Sequence, residues 1–111
     1  MKAIHYITLT ILILFCGNLR SQESNNVDAL IAKGQNAENL GLNDRALAYY
    51  SQAANEHPEE ALPLFYLGKL QAKRLHFPEA IASLHQAITL DDTLAEAYDI
   101  LLFCHIEDGD F

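Results

Sequence analysis

Tryptophan is absent from this chain of 111 residues, methionine occurs once, and there are only two cysteines and three prolines. Cys16 lies in an apolar leader and Cys104 near the opposite end, so the part beyond the leader can form no internal disulfide. Cys104 reads as a small buried hydrophobe on a helix. Basic residues are also scarce, seven against 15 acidic ones, for a formal net charge of −8. Two of the seven, Lys2 and Arg20, fall in the leader. A surface that acidic repels phosphate backbones, which argues against nucleic acid and anionic lipid as partners.

The apolar stretch at 7–16 is about half the length needed to span a bilayer. With Lys2 before it and Ser21 at its exit, residues 1–21 read as a secretory signal, cleaved after Ser21 to leave Gln22 as the new end. Lipid attachment at Cys16, which precedes Gly17-Asn18, is the alternative, although the bulky Phe15 stands where a small residue is wanted. An uncleaved anchor is a third. Each implies export, to the periplasm or cell envelope of a Gram-negative bacterium, with membrane contact only through the leader or a region outside this sequence.

The signals of catalysis are missing too. His57, His76, His85 and His105 never form the i, i+4 pair of a zinc helix, so no metal site is expected. Glu107-Asp108-Gly109-Asp110 lacks the alternating ligands of a calcium loop and reads as a turn. No Gly-rich phosphate loop or Gly-x-Ser-x-Gly elbow occurs. Ser83 stands two residues from His85, which places them on different helical faces. No enzyme activity, cofactor or small-molecule substrate is therefore expected.

What the chain does contain is a phrase repeated every 34 positions. Gly34, Ala46, Ala53 and Pro58 are answered by Gly68, Ala80, Ala87 and Asp92; Leu30, Leu64 and Tyr98 align, as do Tyr50 and Leu84. Such a period marks stacked supersecondary units, each too small to bury its apolar face alone. After a polar linker at 22–26, helical spacing predicts a helix over 27–40 ending at Gly41, and a second one capped by Asn43-Asp44 and ended by His57-Pro58. Further helices are predicted over 61–73 and 77–90, with Pro63 and Pro78 in first turns. Thr93-Leu94-Ala95-Glu96 has the spacing of a capping box and opens a fifth helix to about Glu107.

These residues resemble the tetratricopeptide repeat, a helix–turn–helix unit of 34 residues. The resemblance covers 27–111, as units 27–60 and 61–94 and an incomplete third at 95–111. It implies an all-α helix–turn–helix solenoid of two complete repeats plus the first helix of a third. Large residues belong at the fourth place (Leu30, Leu64, Tyr98), Leu at the seventh (Leu67, Leu101) and a small residue at the eighth (Gly34, Gly68), where a unit's two helices cross. Alanines follow at the twentieth and twenty-seventh places (Ala46 and Ala53, Ala80 and Ala87), with Tyr50 and Leu84 between them. Lys33 replaces a Leu, Asp92 replaces the closing Pro, and Leu102 stands where the third unit should be small.

The resemblance further implies a concave groove, lined by the first helix of each unit, that holds a segment of another protein. Its expected lining includes Ile31, Gln35, Glu38, Leu62, Phe65, Lys69, Lys73, Asp99 and Phe103. Ile31, Gln35, Glu96 and Ile100 stand at four places where some members carry the Lys, Asn and Arg that grip a chaperone's terminal carboxylate, so that use is excluded. Lys69 and Lys73 either pair with Glu38, Asp99 or Glu107, or read a carboxylate of a partner peptide beside an anchor at Phe65. The sequence thus suggests a protein-interaction scaffold. Alternatively, it is the extracytoplasmic sensor portion of a larger protein whose working domain lies beyond residue 111. The nearly all-apolar helix 98–106 and the turn at Gly109-Asp110-Phe111 lead to the expectation that the chain is part of a longer array.

Overall fold

A computed structural model describes residues 26–109. The leader, Cys16, most of the linker, Asp110 and Phe111 lie outside them. Within the described residues five α-helices follow one another: α1 Val27–Asn39, α2 Asn43–Glu56, α3 Ala61–Lys73, α4 Phe77–Leu90 and α5 Ala95–Asp108. Helix accounts for 81% of the described residues, and none of those residues is in a strand. No described helix is long and apolar enough to cross a membrane.

Local chemistry sets the boundaries. Asn26 caps α1, its side-chain oxygen accepting from the Asp28 amide at 3.3 Å. At the other end Gly41 takes a left-handed φ of 75°, which closes the helix and lets the Leu42 amide reach back to the Ala37 carbonyl at 2.8 Å. That tight return puts Leu42 at the cap of α2, so Asn43 is the first helical residue and not the capping one. The capping box at Thr93 does not form either. Both the amide and the hydroxyl of Thr93 donate to the Asp91 carboxylate. Leu94 therefore caps α5, and Glu96 is free to point elsewhere. Those bonds also hold the Asp91 carboxyl below its ordinary pKa. Pro63 and Pro78 both sit in first turns, where a missing N–H breaks no helical bond.

Consecutive helices pack against each other. In addition α1 touches α3 and α3 touches α5, whereas α2 and α4 share no contact. The core has two parts joined through α3. Ile31, Ala37, Ala46, Tyr50 and Leu70 form one; Phe65, Ala72, Ala80, Leu84, Ala87, Ala97 and Cys104 form the other. Tyr66 packs against both and stacks on Tyr50 with ring centroids 5.7 Å apart. Burying a side chain of Leu or Phe size contributes about 1.5–3 kcal/mol, so these contacts dominate the stability of short helices that would be marginal alone.

The closest approaches are at two glycines. A methyl group added to Gly34 would lie 2.3 Å from the Tyr50 ring, and one added to Gly68 would lie 2.8 Å from Leu84 Cγ and 3.3 Å from the Ala80 carbonyl. Both large side chains are completely buried. Leu102, which follows Gly68 by the same interval as Gly68 follows Gly34, is 62% exposed.

Polar groups in this interior are matched. The Ser83 hydroxyl donates to Gln71 at 2.8 Å, joining α4 to α3. Cys104 is a free, fully buried thiol, and burial, followed by the charge of Asp108, pushes its pKa up.

Candidate partner-binding groove

Because α1, α3 and α5 lie side by side, their outward residues make one continuous surface with two clefts. The first, of about 200 Å³, is lined by Gln35, Glu38, Asn39, Tyr66, Lys69 and Lys73. The second, of about 380 Å³, is bordered by Ala72, Leu75, Ile100 and Phe103, with Lys69, Lys73 and Glu96 at its edge. The first is mixed in polarity and the second mainly apolar. Lys69 and Lys73 form the ridge between them.

Not every residue expected to line the groove does so. Ile31 and Phe65 are only 8% and 6% exposed. Both occupy the fifth place of their units, and both turn into the core because the neighbouring first helix covers that face. Phe65 cannot serve as an exposed anchor; its ring instead lies 5.7 Å beneath the Lys69 ammonium and packs edge-on to Tyr66. Leu62 is exposed but borders neither cleft, and the same holds for Asp99. Gln35, Glu38, Lys69, Lys73 and Phe103 remain. The apolar role passes to Phe103, which meets Phe77 edge-on at 6.0 Å, and to Leu75 and Ile100.

Leu75 had no signal of its own, yet its register carries one. Gly41, Leu75 and Gly109 are each 34 residues apart and have φ of 75°, 64° and 72°. A leucine in that left-handed region costs about 1–2 kcal/mol. It is nevertheless 69% exposed, beside the apolar cleft.

The cations of the ridge are already engaged. Lys69 Nζ lies 2.7 Å from Glu96 Oε1, a partner made available by the unformed capping box. Lys73 Nζ approaches Glu38 Oε2 at 3.4 Å, and Arg74 pairs with Asp44 at 2.9 Å. Neither Asp99 nor Glu107 takes part. Exposed pairs of this kind contribute about 0–1 kcal/mol each, so a partner's carboxylate competes on nearly even terms. Lys73, with the longer contact and a side chain 65% exposed, is the more available of the two.

Glu38 has a second bond. Its Oε1 accepts from the buried Tyr50 hydroxyl at 2.6 Å, so one carboxylate ties α1 to both α2 and α3. Burial, and then the hydrogen bond and negative charge of Glu38, push the Tyr50 pKa far above its ordinary value.

Elsewhere, His85 and His105 meet across α4 and α5 with ring centroids 6.0 Å apart, a contact that sequence spacing alone did not reveal. Among the described residues no three His, Cys, Asp or Glu side chains gather where they could share a metal ion. A scan against protein-family models finds no match for the chain, and no curated protein matches it significantly.

Proposed function

We propose that this protein is an exported, non-catalytic scaffold of the tetratricopeptide kind, a curved helical solenoid whose α1–α3–α5 surface holds a segment of another polypeptide. The observation that carries the proposal is the glycine crossing repeated in equal register. Gly34 lies under Tyr50 and Gly68 under Leu84, each glycine sixteen residues before the side chain it accommodates. The contact pattern supports the same reading, since the first helices touch their successors and the second helices do not. A stack with contacts on one side only bends toward that side, and its hollow face belongs to α1, α3 and α5.

In this reading an apolar side chain of the partner enters the cleft of Leu75, Ile100 and Phe103, while an acidic group replaces Glu38 at Lys73. The apolar insertion supplies most of the affinity, and the charge contact orients the segment. The test begins with a partner captured from envelope extract by the intact protein and then identified. Phe103→Asp should weaken its binding by at least about tenfold and Lys73→Ala by about two- to fivefold. Glu79→Ala, on the far side of the stack, should leave it unchanged. If all three variants retain the partner equally, the groove is not where it binds.

A further inference from the structure

Five Lys and Arg side chains lie beyond the leader, and three of them are matched: Lys69 by Glu96, Lys73 by Glu38 and Arg74 by Asp44. The other two, Lys33 and Arg45, have no acidic partner among the described residues. Both line one cleft of about 130 Å³ on the outer side of α1 and α2, with Asn36, Leu40, Leu42 and Tyr49 around them. No acidic side chain borders it, whereas Glu38 and Glu96 border the two groove clefts. In a chain with a formal net charge of −8 this is a locally positive spot. It shares no residue with the groove.

The same positions of α3 and α4 are built differently. In the 34-residue register Lys33 corresponds to Leu67, which packs against the core around Tyr50, while Leu40 corresponds to Arg74 and Arg45 to Glu79. A lysine at position 33 is enough to solvate the outer side of α1. Solvation does not account for Leu40 and Leu42, which are exposed to 68% and 44% beside it. The left-handed turn at Gly41 holds both leucines on the rim, fixed by the Leu42 amide donating to the Ala37 carbonyl.

Charge, size and polarity define what fits. An anion between Lys33 and Arg45 relieves the repulsion of two unmatched like charges, and Asn36 and Tyr49 can add neutral donors. The cleft is well below the roughly 300–1,000 Å³ of a small-molecule site, yet it admits one side chain. A membrane surface or a nucleic acid would set its charges against the surrounding acids as well. A single carboxylate meets only this spot, since at about 0.1 M salt exposed charges are screened beyond about 10 Å. The chain's own acids are poorly placed to fill it. Glu23 is the sole acid before Asn26, and three residues of chain cover at most about 11 Å. Leu40 lies about 21 Å along α1 from Asn26. The acid-rich α5 touches neither α1 nor α2.

We infer that this cleft binds a separate polypeptide through one Asp or Glu side chain that has an apolar residue next to it. The carboxylate seats between Lys33 and Arg45, and its apolar neighbour covers Leu40 and Leu42.

Chemical-shift titration of the isotopically labelled full chain with short capped peptides tests this in low-salt buffer. The first peptide carries Glu followed by Leu, the second Gln followed by Leu, and the third Glu followed by Gly. The first should shift the Lys33, Asn36, Leu42 and Arg45 amides with a dissociation constant of about 1 mM. The second should leave them in place, and the third should bind about threefold more weakly. Lys33→Ala combined with Arg45→Ala should weaken the first peptide at least about fivefold. Both side chains are exposed and unpaired, so this variant keeps its fold, which circular dichroism checks. Lys69→Ala combined with Lys73→Ala should leave the shifts around Lys33 and Arg45 in place, which separates this cleft from the groove. Overturning results are no shifts from the first peptide at about 10 mM, equal binding of the Glu and Gln peptides, or equal losses from the two double variants. Sodium acetate as effective as the first peptide would also overturn it. So would binding to phosphatidylglycerol vesicles, or self-association detected by sedimentation, that Lys33→Ala with Arg45→Ala abolishes.

Discussion

The helix pairs α1–α2 and α3–α4 differ from α5 in one residue position and its consequences. In the pairs a glycine lets a second helix lie close, and a tyrosine or leucine fills the space above it. On α5 the corresponding residue is Leu102, in water, with Tyr98 and Ile106 beside it. The outer side of α1, by contrast, shows Lys33 and Asn36 to solvent. Nearly the same backbone therefore supports a closed joint, a finished polar face and an uncovered apolar face. The difference lies in side-chain size and polarity at a few registers.

Substitutions can break that contrast, and the largest effect belongs to the joints. Gly34→Val should destabilise the protein by about 3 kcal/mol, because the Tyr50 ring is rigid and has nowhere to go; Gly68→Val should cost about 2 kcal/mol, since Leu84 can turn. Urea unfolding followed by circular dichroism measures both. Equal stability of either variant and the wild type would remove the glycine argument. Next comes the Glu38 tie. Tyr50→Phe should lower stability by about 1 kcal/mol at neutral pH.

The same residue has a pH signature. The folded protein holds the Tyr50 proton more tightly than the unfolded chain, where the ordinary value is 10.0. Its contribution is complete below that pH and is lost as alkaline solution ionises the unfolded form first. Wild-type stability should therefore fall more steeply above pH 10 than that of Tyr50→Phe.

Leu75→Gly should stabilise by about 0.5–1 kcal/mol through relief of the left-handed backbone, offset in part by the freer unfolded chain. Gly41→Leu at the matching turn should cost about 1 kcal/mol. If the Leu75 side chain contributes to partner binding, its loss should raise the melting temperature and lower affinity together. The smallest effect belongs to the open face, where Leu102→Ala should change stability by less than about 0.5 kcal/mol. A larger loss would mean that Leu102 is packed in solution.

Helix content and order were legible because the signals are local. Gly41, His57-Pro58, Pro63 and Pro78 mark several of the helix starts and stops, and the apolar spacing between them is helical. The caps were less legible. Thr93 has the right spacing to Glu96, but Asp91 lies closer and captures its hydroxyl. Burial of Ile31 and Phe65 depends on how near the adjacent first helix lies, a tertiary quantity that periodicity does not contain. Sequence spacing assigns Glu96 to a cap, and so gives no sign that its carboxylate pairs with Lys69. Leu75 was recoverable from its register with Gly41 and Gly109, although leucine itself gives no hint of a left-handed turn.

The sealed thiol of Cys104 gives the molecule its own clock. Nothing else in the described residues reacts with a thiol reagent, and that sulfur becomes accessible only when α5 swings off α4. With Cys16 replaced by serine, modification rates would thus time how often α5 detaches, residue-specifically and without an introduced label. An occupant clamped along α5 would slow that clock, whereas one seated only between α1 and α3 would leave it running.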